Sequence, residues 1–269
     1  MLDRRAVLAG LTATPLAACA TARGGDGGRE LTLVTFNIWH NQGDWPARLP
    51  LLVAALRAAD ADVIGLQEVL EDAAVGLPNQ ADTLAAALGG YEVRFVSTDP
   101  EGAPRRYGNA ILSRLPVLEH DSRKLEPLDD YRTAIRARVD LRGRPVDVVN
   151  THLAWQPDQA ATRARQIADL MDWLPDDGTP LAVMGDFNAE QTDAGLAALT
   201  GDRFFSALPD GAARTTLNPA KGHARRVIDH IFAETAHFTR ATAQVIGDAS
   251  LAGVHPSDHF GVAATLRLH

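Results

Sequence analysis

Four apolar, strand-like runs in this chain each end in a polar cluster: Phe36-Asn37, Gln67-Glu68, Asn150-Thr151-His152 and Gly185-Asp186-Phe187-Asn188. Two more polar pairs, Asp229-His230 and Asp258-His259, follow in the last third. Polar groups at buried strand ends are costly unless they are paired or bind something, so the clusters point to a shared site for a cation and a polar substrate. Residues two apart in a strand face the same way, which aims Asn150 with His152, and Asp186 with Asn188 if the extended backbone persists that far. By the same alternation Asn37 shares a face with Leu33 and Thr35, and Glu68 with Leu66 and Ile64.

The residue types fit one chemistry. Glu68, Asp258 and Asn37 are hard oxygen ligands, and a single cysteine leaves no thiolate set, which favours Mg2+ or Mn2+ over structural zinc. His152 and His259 stand beside carboxylates and can serve as a general base or as donors to an anionic oxygen. Metal, base and oxyanion donors together suit attack of water on a phosphate ester.

The elements that must position these groups alternate. Strands are predicted at 31–38, 62–67, 91–96, 109–113, 133–141, 145–152, 181–185, 227–232 and 260–267, with helices at 46–59, 79–88, 158–174 and 193–200. Several strands are apolar on both faces and so belong inside covered sheets. A chain of 269 residues buries about 70–75% of its unfolded surface, enough for one large core without disulfides.

The ordered set Thr35-Phe36-Asn37-Ile38-Trp39, Leu66-Gln67-Glu68-Val69, Gly108-Asn109-Ala110-Ile111-Leu112-Ser113, Asn150-Thr151-His152-Leu153, Gly185-Asp186-Phe187-Asn188, Ile228-Asp229-His230-Ile231-Phe232 and Ser257-Asp258-His259 resembles the endonuclease/exonuclease/phosphatase (DNase I-like) superfamily. The resemblance runs from about Leu31 to the C-terminus. It implies a four-layer α/β sandwich, two stacked mixed sheets flanked by helices. It also implies roles: Asn37, Glu68 and Asp258 at the metal, His259 oriented by Asp229, Asp186 and Asn188 positioning the nucleophile, and His152 on the phosphate. Whether His259 or Asp186 is the formal base stays open. Two departures from the family pattern, Phe260-Gly261 after the last motif and His230 after Asp229, remove no catalytic group; His230 is expected to pack behind the site.

Substrate contacts are expected from Arg105, Arg106, Arg132 and Asn109, since Arg makes forked bonds to phosphate. His40, His120, His237 and His269 read as surface or structural residues, while His223 and His255 are rim candidates. Trp155 is either a core anchor or a platform on the pocket lip.

The N-terminus reads as a separate unit. Arg4-Arg5 precede an apolar run from Ala6 to Ala18, too short for a permanent membrane span, and Leu16-Ala17-Ala18-Cys19 resembles a bacterial lipobox. Residues 1–19 are therefore expected to be an export signal, 20–30 a Gly-rich tether and 31–269 the catalytic domain. The mature protein would be a monomeric lipoprotein of the periplasm or outer membrane, held through Cys19. The formal net charge of −8 gives no general attraction to nucleic acid or anionic membrane. The expected activity is a metal-dependent phosphodiesterase acting on nucleic acid, phospholipid or a small molecule. Its alternatives are a phosphomonoesterase and a non-catalytic, envelope-tethered binding module.

Overall fold

The computed structural model describes residues 29–269, so the export signal, Cys19 and most of the tether lie outside the described residues. Two six-stranded sheets stack face to face. The first runs β11-β12-β1-β2-β4-β3 and contains β1 (Glu30–Asn37), β2 (Val63–Asp72), β3 (Glu92–Ser97), β4 (Arg105–Ser113), β11 (Phe238–Ile246) and β12 (Gly261–Leu268). The second runs β5-β6-β7-β8-β10-β9 and contains β5 (Val117–Lys124), β6 (Thr133–Asp140), β7 (Pro145–His152), β8 (Leu181–Asp186), β9 (Phe204–Ser206) and β10 (Asp229–Glu234).

Each sheet has one parallel pair at its centre, β1 with β2 and β7 with β8. A parallel pair needs a crossover, and helices supply both. Helix α1 (Trp45–Ala59) links β1 to β2 and α3 (Ala160–Trp173) links β7 to β8. The Asp44 side chain starts α1 by accepting the Ala47 N–H, satisfying a donor that the first turn would otherwise leave free. Together with α2 (Gln80–Leu88), α1 covers the outer face of the first sheet over Val34, Phe36, Ile64 and Leu66. Helix α3 and the short α4 (Ala197–Thr200) cover the second over Val149, Val183 and Phe187. Leu33, Val63, Ile111, Val148 and Met184 fill the space between sheets. The result is the four-layer α/β sandwich, DNase I-like in architecture.

Behind the site, polar side chains fasten the two sheets. Asn150 donates to Leu66 O and Ala110 O of the opposite sheet, both at 2.9 Å, and accepts from Gln67, which also donates to Thr35 Oγ1. Asn109 donates to Thr133 O at 2.9 Å. All of these side chains are buried, so their strand-end polarity serves the sheet-to-sheet joint. Gly65 makes room for it: an added Cβ would lie 2.8 Å from the Asn150 amide. Gly185 is needed for a similar reason, because its Cβ would stand 2.1 Å from Thr151 O, between the strands that carry His152 and Asp186.

Candidate active site

The carboxyl ends of β1, β2, β7 and β8 open onto one cavity of about 530 Å³, lined by His40, Glu68, Thr98, Asp99, Arg105, Tyr107, Tyr131, Arg132, His152, Trp155, Asp186, Asn188 and His259. Open α/β sheets place their sites at such ends.

At the acidic side, a bulge turns Glu68 into the cavity. Gln67 and Glu68 stand opposite Asn109 alone in the β2–β4 ladder, and Glu68 has φ 58°. Strict alternation would have left Glu68 under α2 with Leu66 and Ile64; the extra residue re-aims it. Its Oε1 then accepts from Asn37 Nδ2 at 3.2 Å, and the same amide donates to Asp186 Oδ2 at 3.0 Å. Asn37 is fully buried and bridges two carboxylates from different sheets. Burial and then repulsion from Asp258 push the Glu68 carboxyl above its ordinary range. Asp258 is in turn held by His223, whose Nε2 lies 3.1 Å from Oδ2.

Carboxylate oxygens from half-buried Glu68 and buried Asp258, which repel one another, fit a hard divalent cation that would relieve the repulsion; Asn37 Oδ1, which accepts the Trp39 N–H at 3.0 Å, could offer its second lone pair. Asp186, Asp229 and His259 also bring one ligand atom each within 4.8 Å of one another. In that second set the one imidazolium, His259, balances only one of the two carboxylates, its Nδ1 donating to Asp229 Oδ2 at 3.0 Å. The first set could hold a cation as well, and has no histidine among its three members.

The histidine protons follow from their partners. Arg132 has only donors, so the 3.1 Å contact from its Nη1 makes His152 Nδ1 an acceptor and places the proton on Nε2, 3.4 Å from Asp186 Oδ2. Burial, reinforced by Arg132, lowers the His152 pKa to about 3, so the ring is a neutral donor. His259 is the opposite case. Burial disfavours its charge, but Asp229 and Asp186 outweigh that and hold it as an imidazolium, with Nε2 3.7 Å from Asp186 Oδ2. Burial also opposes ionisation of Asp186. His259, His152, the Asn37 amide and the Asn188 N–H nonetheless keep its pKa below the ordinary carboxylate value. The backbone turns before Asn188, which has φ 51°, so the extended geometry ends at Asp186. Asn188 still reaches the cavity, held by Nδ2–H donation to Leu153 O at 3.1 Å.

The expected basic contacts divide. Arg132 is 3% exposed and pairs with no carboxylate among the described residues, and its Nε has no partner. Arg105 reaches the cavity rim. Arg106, its strand neighbour, faces the other way onto Glu71 at 3.2 Å and the Phe95 ring. Asn109 points into the joint between sheets, away from the cavity. His230 packs behind the site against Phe187 and Phe232, with Nε2 donating to Ala189 O at 2.8 Å.

Several site residues escaped the sequence reading. His40, expected as a surface or structural residue, lines the cavity with Nε2 3.9 Å from Glu68 Oε2. Tyr107 lines it too, its phenol kept neutral by burial and then by Glu68. Arg48 is 1% exposed and lies between the Trp39 and Trp45 rings. It donates to five carbonyls, those of Ile38, Trp39, His40, Gln42 and Pro256, and so pins the loop after β1 to the segment before Asp258.

The profile of the Endonuclease/Exonuclease/phosphatase family matches residues 34–259. Among solved structures, the chain is similar to an endonuclease/exonuclease/phosphatase from Beutenbergia cavernae DSM 12333, at 26% identity and TM-score 0.71, over 89% of this chain and 72% of that one. It also superposes on Bacteroides thetaiotaomicron mannosyl-6-phosphatase Bt3783, at 21% identity and TM-score 0.72, over 88% and 99% of the two chains. A third likeness is D. rerio TDP2 complexed with single strand DNA product, at 20% identity and TM-score 0.73, again over 88% and 99%. No curated protein matches the sequence. From the family match over most of its length, the chain belongs to the endonuclease/exonuclease/phosphatase family of phosphoester hydrolases.

Proposed function

We propose that this protein is a Mg2+- or Mn2+-dependent phosphodiesterase. The observation that carries the reading is the convergence on one cavity of an acidic end, Glu68 with Asp258 behind it, and a cationic end, Arg132 with His259, on either side of Asp186. A cation held by Asn37, Glu68 and Asp258 would neutralise charge developing on the phosphoryl group. Arg132 and the Nε2–H of His152 bind the phosphate oxygens. Asp186, the ionised carboxylate, accepts a proton from the attacking water. The His259 imidazolium, fixed by Asp229, gives a proton to the departing oxygen as the P–O bond breaks. Asn188 orients the water. A scaffold that served only for binding would have no use for this opposed set of donor and acceptor.

Solved relatives in fold include a sugar monophosphatase and a protein bound to single-stranded DNA, so fold alone does not rank esters. The single negative charge of a diester suits a site that already holds two acidic groups at the cation and Asp186 beside it. In a metal-supplemented comparison at equal concentration, bis(4-nitrophenyl) phosphate should turn over faster than 4-nitrophenyl phosphate. A monoester rate exceeding the diester rate would reassign the protein as a phosphomonoesterase.

The Arg4-Arg5 and Leu16-to-Cys19 motifs further support export and lipid anchoring at Cys19, with the enzyme acting as a monomer outside the cytoplasm. Cys19→Ala should move the protein from the membrane to the soluble fraction with unchanged specific activity. Retention in membranes after carbonate washing would defeat the anchor assignment.

A further inference from the structure

Two aromatic rings stand at the mouth of the cavity with much of their surface in water. Trp155 is 59% exposed and Tyr131 48% exposed, although large aromatic side chains gain most from burial. Their backbones are anything but loose. The fully buried Gln166 donates to Asp130 Oδ2 at 2.8 Å and accepts the Ala154 N–H at 2.9 Å, joining the two loops that carry the rings. Asp130 Oδ1 also accepts the Tyr131 N–H at 2.8 Å. From the same helix, buried Arg163 donates to Ala154 O and Gln156 O on either side of Trp155, at 3.1 and 2.8 Å. The Tyr131 ring is held as well, edge-on to Tyr107 at 6.1 Å and beneath the Arg132 guanidinium at 4.5 Å.

Exposed rings on a backbone pinned by buried side chains are a preorganised surface, since little conformational entropy remains to be lost on binding. Beside them is a buried cation, Arg132, that has no carboxylate partner among the described residues and whose Nε lacks an acceptor there. A cavity of about 530 Å³ offers much more room than a phosphate group fills. We propose that Tyr131 and Trp155 form a stacking subsite for the base of an unpaired nucleotide whose phosphate sits on Arg132. This deepens the phosphodiesterase reading and rests on it for the location of the phosphate. A flat base stacks on both ring types whatever its identity, whereas bases inside a duplex have their faces covered. The substrate class that follows is a nucleotide diester or the end of a single strand.

The test is equilibrium binding to the full chain in EDTA, where no turnover is expected, measured by calorimetry with adenosine 5′-monophosphate, ribose 5-phosphate, mannose 6-phosphate and inorganic phosphate. The adenosine nucleotide should bind about tenfold or more tighter than the other three, in keeping with the effect of one base stacked on an aromatic ring. Trp155→Ala should erase that advantage and leave phosphate binding unchanged, and Tyr131→Ala, which also takes away the ring under Arg132, should erase it too. Arg132→Met should weaken all four ligands. Both aromatic rings are exposed, and far-UV circular dichroism checks that the variants fold. Equal affinity for the nucleotide and ribose 5-phosphate, or variants that bind the nucleotide as the unchanged protein does, would overturn the subsite. Mannose 6-phosphate binding as tightly as the nucleotide would overturn the base assignment in favour of a sugar. Because binding is read without catalysis, failure to hydrolyse diesters would count against the proposed reaction and leave this result standing.

Discussion

Asp186→Asn is expected to lower kcat on a phosphodiester by about 10²–10⁴-fold, the usual contribution of a positioned acid or base. The substitution keeps an oxygen for the Asn188 N–H, which now reaches Oδ1 at 2.9 Å. It sets a new amide against the Asn37 Nδ2, now 3.0 Å from Oδ2, so donor would face donor and the bridge from Asn37 to the second sheet would be lost. His259 would also lose one of the two carboxylates that hold it charged. KM should change far less than kcat, because Arg132 and His152 remain to hold the phosphate. A variant that keeps more than a tenth of kcat would remove Asp186 from the proton path. Urea denaturation separates this from misfolding.

The second large effect concerns a pair. His259→Ala should cost about 10²–10⁴-fold in kcat and Asp229→Asn somewhat less, since Asp229 acts through the ring it orients at 3.0 Å. Once the imidazole is gone Asp229 has nothing left to orient, so the double variant should be only slightly slower than His259→Ala. A double loss equal to the product of the single losses would show that the two groups work independently. Asp229 is fully buried, and removing His259 leaves its carboxylate without a cation. His259→Ala should therefore also lose stability, whereas the double variant should regain part of it.

Much of this site could be read from the order of residues, because a strand delivers its last polar side chain to a predictable edge. Asn37, His152, Asp186, Asp229 and His259 all meet where the alternation and the motifs implied. Alternation fails at Glu68 because a bulge depends on how β4 pairs with β2, a long-range fact that no local pattern carries. It also could not tell a polar residue that faces the cavity from one that fastens the sheets. Gln67, Asn109 and Asn150 have the same residue types and strand-end positions as the site groups, but Gln67 bonds to Asn150, and Asn109 and Asn150 bond to the opposite sheet. Three strands went unseen for a simpler reason. β5 is exposed along most of its length, β11 alternates weakly at a sheet edge, and β9 has three residues. Edge strands carry few apolar residues, which protects them from pairing with other chains and removes the signal that would reveal them. Arg48 was hidden in another way: a buried guanidinium that bonds only to carbonyls has no partner visible in sequence.

The claim that a divalent cation at Asn37, Glu68 and Asp258 is required for hydrolysis is tested most directly by titrating Mg2+ or Mn2+ into the EDTA-treated protein while following bis(4-nitrophenyl) phosphate cleavage, for the unchanged chain and for Glu68→Gln. No turnover is expected in EDTA, with a saturable return of activity on adding metal and a half-saturating concentration at least about tenfold higher in Glu68→Gln, in line with losing one anionic ligand from a small set of oxygen donors. Full turnover in EDTA, or two superimposable metal titrations, would contradict it.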